Sequence, residues 1–74
     1  MNIEQFIDAF HEQLDDTDRS ELTPATRYKE LDEWTSLTAL SVIAMIDEEA
    51  GISLKSDVFK NSTTLEELYN QIFA

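Results

Sequence analysis

Residues 36–51 read Ser36-Leu37-Thr38-Ala39-Leu40-Ser41-Val42-Ile43-Ala44-Met45-Ile46-Asp47-Glu48-Glu49-Ala50-Gly51. The run has no internal Gly or Pro, so it predicts a helix from Ser36 to Ala50, closed by Gly51 as a left-handed cap. Its apolar residues Leu37, Leu40, Val42, Ile43, Ala44 and Ile46 cover much of the helical wheel. A helix apolar over so much of its circumference is expected at the centre of a bundle. At 100° per residue, Thr38, Ser41, Met45 and Glu48 fall on the one remaining stripe, so Met45 is expected to face solvent or a partner. Asp47, Glu48 and Glu49 crowd the negative end of the helix dipole, where acids are mildly unfavourable.

The segments on either side are helical too. Ile3, Phe6, Ile7, Phe10 and Leu14 recur at i, i+3, i+4, i+7 and i+11, which puts them on one face of a first helix that fades near Asp15. His11 lies among polar neighbours and reads as a solvated surface histidine. Residues 17–35 form a long connection. Thr23-Pro24 reads there as the start of a short helical turn, and Tyr28, Leu31 and Trp34 pin the strand of loop to the core. After Gly51, Ser56 is expected to cap a single turn that buries Val58 and Phe59. Thr63-Thr64-Leu65-Glu66-Glu67 announces the last helix through a capping box. Leu65, Leu68 and Ile72 line its inner face. The expected fold is all-α, a small bundle of three main helices and one short one, forming one domain over residues 1–74.

Composition restricts the function. The chain of 74 residues carries 5 Lys+Arg against 16 Asp+Glu, a net charge of −11. A surface this acidic repels phosphates, which disfavours nucleic acid and anionic membranes as partners and favours basic protein surfaces. Hydrophobic residues make up 42% of the chain, enough to expect a packed core. With no Cys and one His, disulfide frameworks, thiol catalysis and multi-His metal sites are excluded. No apolar run approaches the roughly 20 residues needed to span a bilayer. The N-terminus has no basic n-region, so it reads as a cytoplasmic chain without a signal peptide. Adjacent acids such as Asp15 with Asp16 point in different directions and do not make an acid/base pair. The expectation is an acidic adaptor, monomeric, and not an obvious enzyme.

Ser36 stands out by position. Thr35 or Ser36 can serve simply as the helix cap. A serine hydroxyl at a helix N-terminus also sits beside free N–H groups and a positive dipole end, a setting that suits a phosphodiester. No His or Lys lies near Ser36 along its helix to act as a base, so phosphoryl transfer to it requires a separate enzyme.

The stretch Thr26 to Leu37, with Thr26, Tyr28 and Leu31 leading into Thr35-Ser36-Leu37, resembles the acyl carrier proteins. Their Thr-x-aromatic-x-x-Leu segment leads into Asp-Ser-Leu. The acids 47 to 49, Ile52 with Leu54, and Thr63-Thr64-Leu65 extend the resemblance over essentially the whole chain. It implies a four-helix bundle of acyl-carrier type and a 4′-phosphopantetheine arm on Ser36, placed there from coenzyme A by a phosphopantetheinyl transferase. The arm's thiol would carry acyl groups as thioesters in a fatty-acid or a specialised lipid, polysaccharide or secondary-metabolite pathway. Thr35, Leu37, Ser41, Met45, Glu48 and Glu49 would meet acyl-activating, condensing or acyl-transferring enzymes bearing basic docking patches. Leu40, Ile43, Ile46, Phe59, Leu68 and Ile72 would line an interior able to shelter the acyl chain. Three positions depart from the pattern, because Thr35, Thr38 and Ser41 stand where the family has acids. An unmodified, carrier-like acidic interaction module is the alternative.

Overall fold

The computed structural model describes residues 1–73. Four helices carry the fold, α1 (Ile3–His11), α2 (Ser36–Ala50), α3 (Asp57–Lys60) and α4 (Leu65–Phe73). No strand occurs among the described residues. The fold is the expected all-α bundle with three main helices and one short one.

α1 opens on a capping box: Asn2 Oδ1 accepts the Gln5 N–H at 2.8 Å, and Gln5 Oε1 accepts the Asn2 N–H at 2.9 Å. Phe6, Ile7, Ala9 and Phe10 are buried, as the periodicity requires. The α-helix ends at His11, earlier than the apolar series. Tighter bonds from Gln13 N–H to the Phe10 carbonyl and from Leu14 N–H to the His11 carbonyl continue the turn and keep Leu14 in the core. His11 is half-buried and not freely solvated. Its Nε2 donates to the Thr17 carbonyl at 2.8 Å, so that nitrogen carries the proton in this contact.

The connection between α1 and α2 holds two 3₁₀ turns, Arg19–Glu21 and Tyr28–Glu30. Thr23-Pro24 makes a turn between them and does not start a helix. The reason lies in the backbone carbonyls. Those of Pro24 and Thr26 accept the N–H groups of Glu66 and Leu65 at 2.9 and 3.0 Å, so the loop satisfies the orphan donors at the start of α4. Thr64 and Glu67 add the expected capping box there, with Thr64 Oγ1 accepting the Glu67 N–H and Glu67 Oε1 accepting that of Thr64. Ser56 does not cap α3. Its own backbone is already helical at φ −61° and ψ −16°, and its side chain makes no cap bond. Gly51 takes the left-handed conformation at φ 66° and ends α2 as expected.

One core joins all four helices. Phe6 of α1 packs on Tyr69 and Phe73 of α4 at ring-centroid distances of 5.8 and 6.3 Å. Ile46 of α2, Phe59 of α3 and Leu65 and Leu68 of α4 complete it. Tyr69 Oη donates to the Met1 carbonyl at 2.8 Å, tying α4 to the start of the chain. Among the described residues, no helix is long and apolar enough to cross a membrane.

α2 presents a different face from the one its sequence predicts. Thr38, Val42, Met45 and Ile46 are buried, whereas Leu37, Leu40, Ser41, Ala44, Asp47 and Glu48 are exposed. Met45 is only 5% exposed, so it belongs to the core and leaves the docking stripe. Leu40 is 61% exposed, so it points away from the interior assigned to it. The rotation is possible because Thr38 can be buried at little cost. Its hydroxyl donates to the Glu33 carbonyl, which removes the penalty of an unpaired polar group.

Candidate functional site

Ser36 is the first residue of α2 and is exposed. The capping task falls to Thr35, whose backbone is extended at φ −138° and ψ 175° and whose Oγ1 accepts the Thr38 N–H at 3.2 Å. Thr35 Oγ1 also meets Thr38 Oγ1 at 3.2 Å. The Ser36 hydroxyl is therefore released from capping. It stands at the end of a 15-residue helix whose first N–H groups lack intrahelical acceptors. That setting favours a negatively charged substituent on the Ser36 oxygen.

The residues before Ser36 are clamped. The Glu33 carboxylate accepts the N–H groups of Asp15 and Asp16 at 2.6 and 3.0 Å, together with the Thr17 hydroxyl, while its own carbonyl holds Thr38. One residue thus links the chain just after α1 to the end of the long connection and the first turn of α2. Nothing in the spacing of the sequence marks Glu33 for this role, since its partners, two backbone N–H groups and one hydroxyl, lie 16 to 18 residues away. Trp34 follows it and packs on Phe10, Tyr28 and Phe59. The hydroxyl is exposed, but its platform is held on both sides.

Two carboxylates report this bonding. The Thr17 hydroxyl, with the Asp15 N–H next, holds Glu33 below its ordinary value of 4.5. The N–H groups of Thr63 and Thr64 do the same for Glu67. A carboxylate depressed in the folded state adds stability that is present above its unfolded value and lost as pH falls through the folded value. Glu33→Gln and Glu67→Gln should therefore each lower the urea midpoint at about pH 7, by a margin that shrinks as pH falls below the ordinary carboxylate value. Urea titrations on both sides of that value check this.

The exposed face of α2 runs from apolar to acidic. Leu37, at 75% exposure, and Leu40 flank Ser36, and Asp47 and Glu48 occupy the far end with Glu49 beside them. The two ends lie about 15 Å apart at 1.5 Å per residue. No acid occupies the first turn. Of the proposed partner residues, Thr35, Leu37, Ser41, Glu48 and Glu49 are exposed. Replacing Asp47, Glu48 and Glu49 together with Lys should raise stability by about 1–3 kcal/mol, from about 0.3–1 kcal/mol for each reversed dipole contact. The same variant should lose binding to basic partner surfaces at low salt. Thermal unfolding and titration calorimetry separate the two effects.

Five of the six residues assigned to an interior acyl shelter belong to or pack against one apolar cluster, and Leu40 does not. Ile46, Phe59 and Leu68 are buried in the core, Ile43 and Ile72 are half-buried, and Leu40 faces out. Two surface clefts lie elsewhere. One of about 480 Å³ is lined by Met1, Gln5, Asp8, Ala9, Glu12 and Glu49. The other, of about 310 Å³, runs along Asp16, Thr17, Glu21 and residues 30–33. Both are rich in carboxylates, and none of the six proposed shelter residues lines either.

The chain matches the family model described as the phosphopantetheine attachment site over residues 4–72. No curated protein and no solved structure matches the chain significantly. Domains of this family are the sites of covalent 4′-phosphopantetheine attachment and act as carriers. Because the match runs from the first turn of α1 to the end of α4, this small acidic bundle belongs to the phosphopantetheine attachment site family.

Proposed function

We propose that Ser36 is the attachment point and that the protein carries acyl groups between enzymes in the cytoplasm. The observation that supports this best is the division of labour at the start of α2. Thr35 caps the helix, and the neighbouring serine hydroxyl is left exposed on a clamped platform. The site fits a phosphodiester, since an anion on the Ser36 oxygen meets the positive end of α2 with no acid in its first turn. The bound group supplies a terminal thiol that holds the acyl cargo as a thioester, a chemistry that a chain without Cys lacks.

The chain's own residues bind and orient; they do not catalyse. Ser36 Oγ would form the new bond to the pantetheine-side phosphorus as the pyrophosphate P–O bond of coenzyme A breaks, with adenosine 3′,5′-bisphosphate as the leaving group. Its proton goes to a base on the phosphopantetheinyl transferase, since Ser36 has no base nearby along its helix. Leu37 and Leu40 offer partner enzymes an apolar contact next to the cargo. Asp47, Glu48 and Glu49 offer a charged one to basic patches on acyl-activating, condensing or acyl-transferring enzymes. Contacts steered by charge form fast and release fast, as a shuttle requires.

The test is incubation with coenzyme A and a panel of transferases, followed by mass spectrometry of the intact chain and of its peptides. The expected result is a gain of one phosphopantetheine confined to the peptide that holds Ser36. No gain with any transferase, or a gain on another peptide, would overturn the proposal.

A further inference from the structure

Ser36 lies inside a short stretch of chain that Thr38 closes with two hydrogen bonds. The Thr38 hydroxyl donates to the Glu33 carbonyl, and the Thr38 N–H donates to Thr35 Oγ1 at 3.2 Å. Thr38 is buried, so its hydroxyl proton needs that carbonyl. The placement of Ser36 on α2 therefore depends on where the Glu33 carbonyl points.

Two anchors hold the Glu33–Trp34 peptide that carries this carbonyl. On one side, the Trp34 ring packs against Phe10, Tyr28 and Phe59. On the other, the Glu33 carboxylate is gripped through both oxygens. Oε1 accepts the Asp15 N–H at 2.6 Å, and Oε2 accepts the Asp16 N–H at 3.0 Å and the Thr17 hydroxyl. Thr17 is itself held from the far side, because His11 Nε2 at the end of α1 donates to its carbonyl at 2.8 Å. Hydrogen bonds thus run from α1 through Thr17 and Glu33 to Thr38 in the first turn of α2. A planar peptide held by the side chains at both of its Cα atoms swings little, so the carbonyl keeps its aim.

The ionised carboxylate is the group that suits this task. Three donors converge on its two oxygens, and a carboxylate only accepts. The Thr17 hydroxyl first, and the Asp15 N–H next, hold Glu33 below its ordinary value, so it is ionised at neutral pH. An amide in its place turns its NH₂ towards one of these donors and loses that contact.

We infer that Glu33 is a positioning residue for phosphopantetheine transfer, fixing through Thr38 where the Ser36 hydroxyl stands relative to the α2 face offered to partner enzymes. Glu33 takes no part in the bond exchange itself. The inference rests on Ser36 as the attachment point. Leu37 and Leu40 are exposed, and Asp47, Glu48 and Glu49 lie at the far end of α2. Loss of the Glu33 carboxylate therefore leaves the docking face in place and misdirects the nucleophile.

The experiment uses a transferase that loads the wild type at Ser36. Initial rates of transfer from coenzyme A are read by intact mass over a range of carrier concentrations at neutral pH, and urea unfolding gives the folded fraction of each variant. Glu33→Gln is expected to lower kcat by about 10- to 100-fold while KM for the carrier stays within about twofold. A purely structural role gives the opposite split, because a smaller folded fraction raises the apparent KM and leaves kcat at saturation unchanged. Thr38→Val keeps the side-chain shape and removes the hydroxyl that Glu33 holds, so it should show the same fall in kcat. It decides alone if Glu33→Gln does not fold. A wild-type kcat in either folded variant, with KM raised or not, overturns the inference and leaves Ser36 attachment standing. Glu30→Gln removes a nearby carboxylate that pairs with Arg27 at 3.5 Å, and it should keep both constants. A matching fall there would trace the effect to charge alone and also overturn the inference. If no transferase loads the wild type, or the label sits on another residue, the attachment reading itself fails and takes this one with it.

Discussion

Ser36→Ala should abolish phosphopantetheine transfer completely while shifting folding stability by no more than about 0.5 kcal/mol, the range for an exposed residue without special contacts. The two halves of this expectation come from the same geometry. The Ser36 side chain is exposed and makes no cap bond, because the Thr38 N–H is accepted by Thr35. Thr35→Ala makes the contrast. It should cost about 0.5–2 kcal/mol as a lost N-cap, and it also loosens the Thr35–Thr38 contact beside the attachment point. Intact mass and urea unfolding on both variants read the two effects apart. A Ser36→Ala protein that still gains the mass, or that loses stability as Thr35→Ala does, would show that the roles of the two residues are wrongly divided. Retention of every partner contact and of biological function by Ser36→Ala would favour the unmodified interaction module.

Phe10→Ala is expected to have the largest effect on the fold. The ring is fully buried and touches Phe6, Tyr28 and Trp34, so its loss opens a cavity where α1 supports the loop before Ser36. Truncations of this kind cost about 3–5 kcal/mol. A 74-residue domain has roughly 4–11 kcal/mol in total, from about 0.05–0.15 kcal/mol per residue. The loss takes from about a quarter to all of that total, so the thermal unfolding midpoint in calorimetry should fall sharply. Phosphopantetheine transfer should fall with it, because Trp34 loses a stacking partner two residues from Ser36.

Much of this arrangement is legible in the sequence where a single local pattern decides the outcome. The series from Ile3 to Leu14 has one apolar face and one acidic face, and its buried residues follow directly. Thr64 with Glu67 and the glycine at 51 act through bonds or dihedrals within a few residues, and they behave as their spacing implies. The face of α2 is a different case. Its apolar residues surround the helix, so periodicity cannot choose which side goes inward. The face that goes inward carries Thr38, whose hydroxyl is accepted by the Glu33 carbonyl, with Met45 in and Leu40 out. That acceptor belongs to a loop whose path is set by bonds from Glu33 to Asp15, Asp16 and Thr17. Thr23-Pro24 misleads for a related reason: the carbonyls that a helix there would use are engaged by α4. Ser36 itself could be singled out as the opening of a helix. That its neighbour takes over the capping bond is a property of the folded junction.

The hydrogen bond from Tyr69 to the Met1 carbonyl has a mechanical consequence. It brings the start of the chain against the last helix, so tension applied through the two ends loads the α1–α4 seam, where Phe6 packs on Tyr69 and Phe73. Under pulling, the first extension should come from α1 peeling off Tyr69 and Phe73, ahead of any disturbance to the helix that bears Ser36.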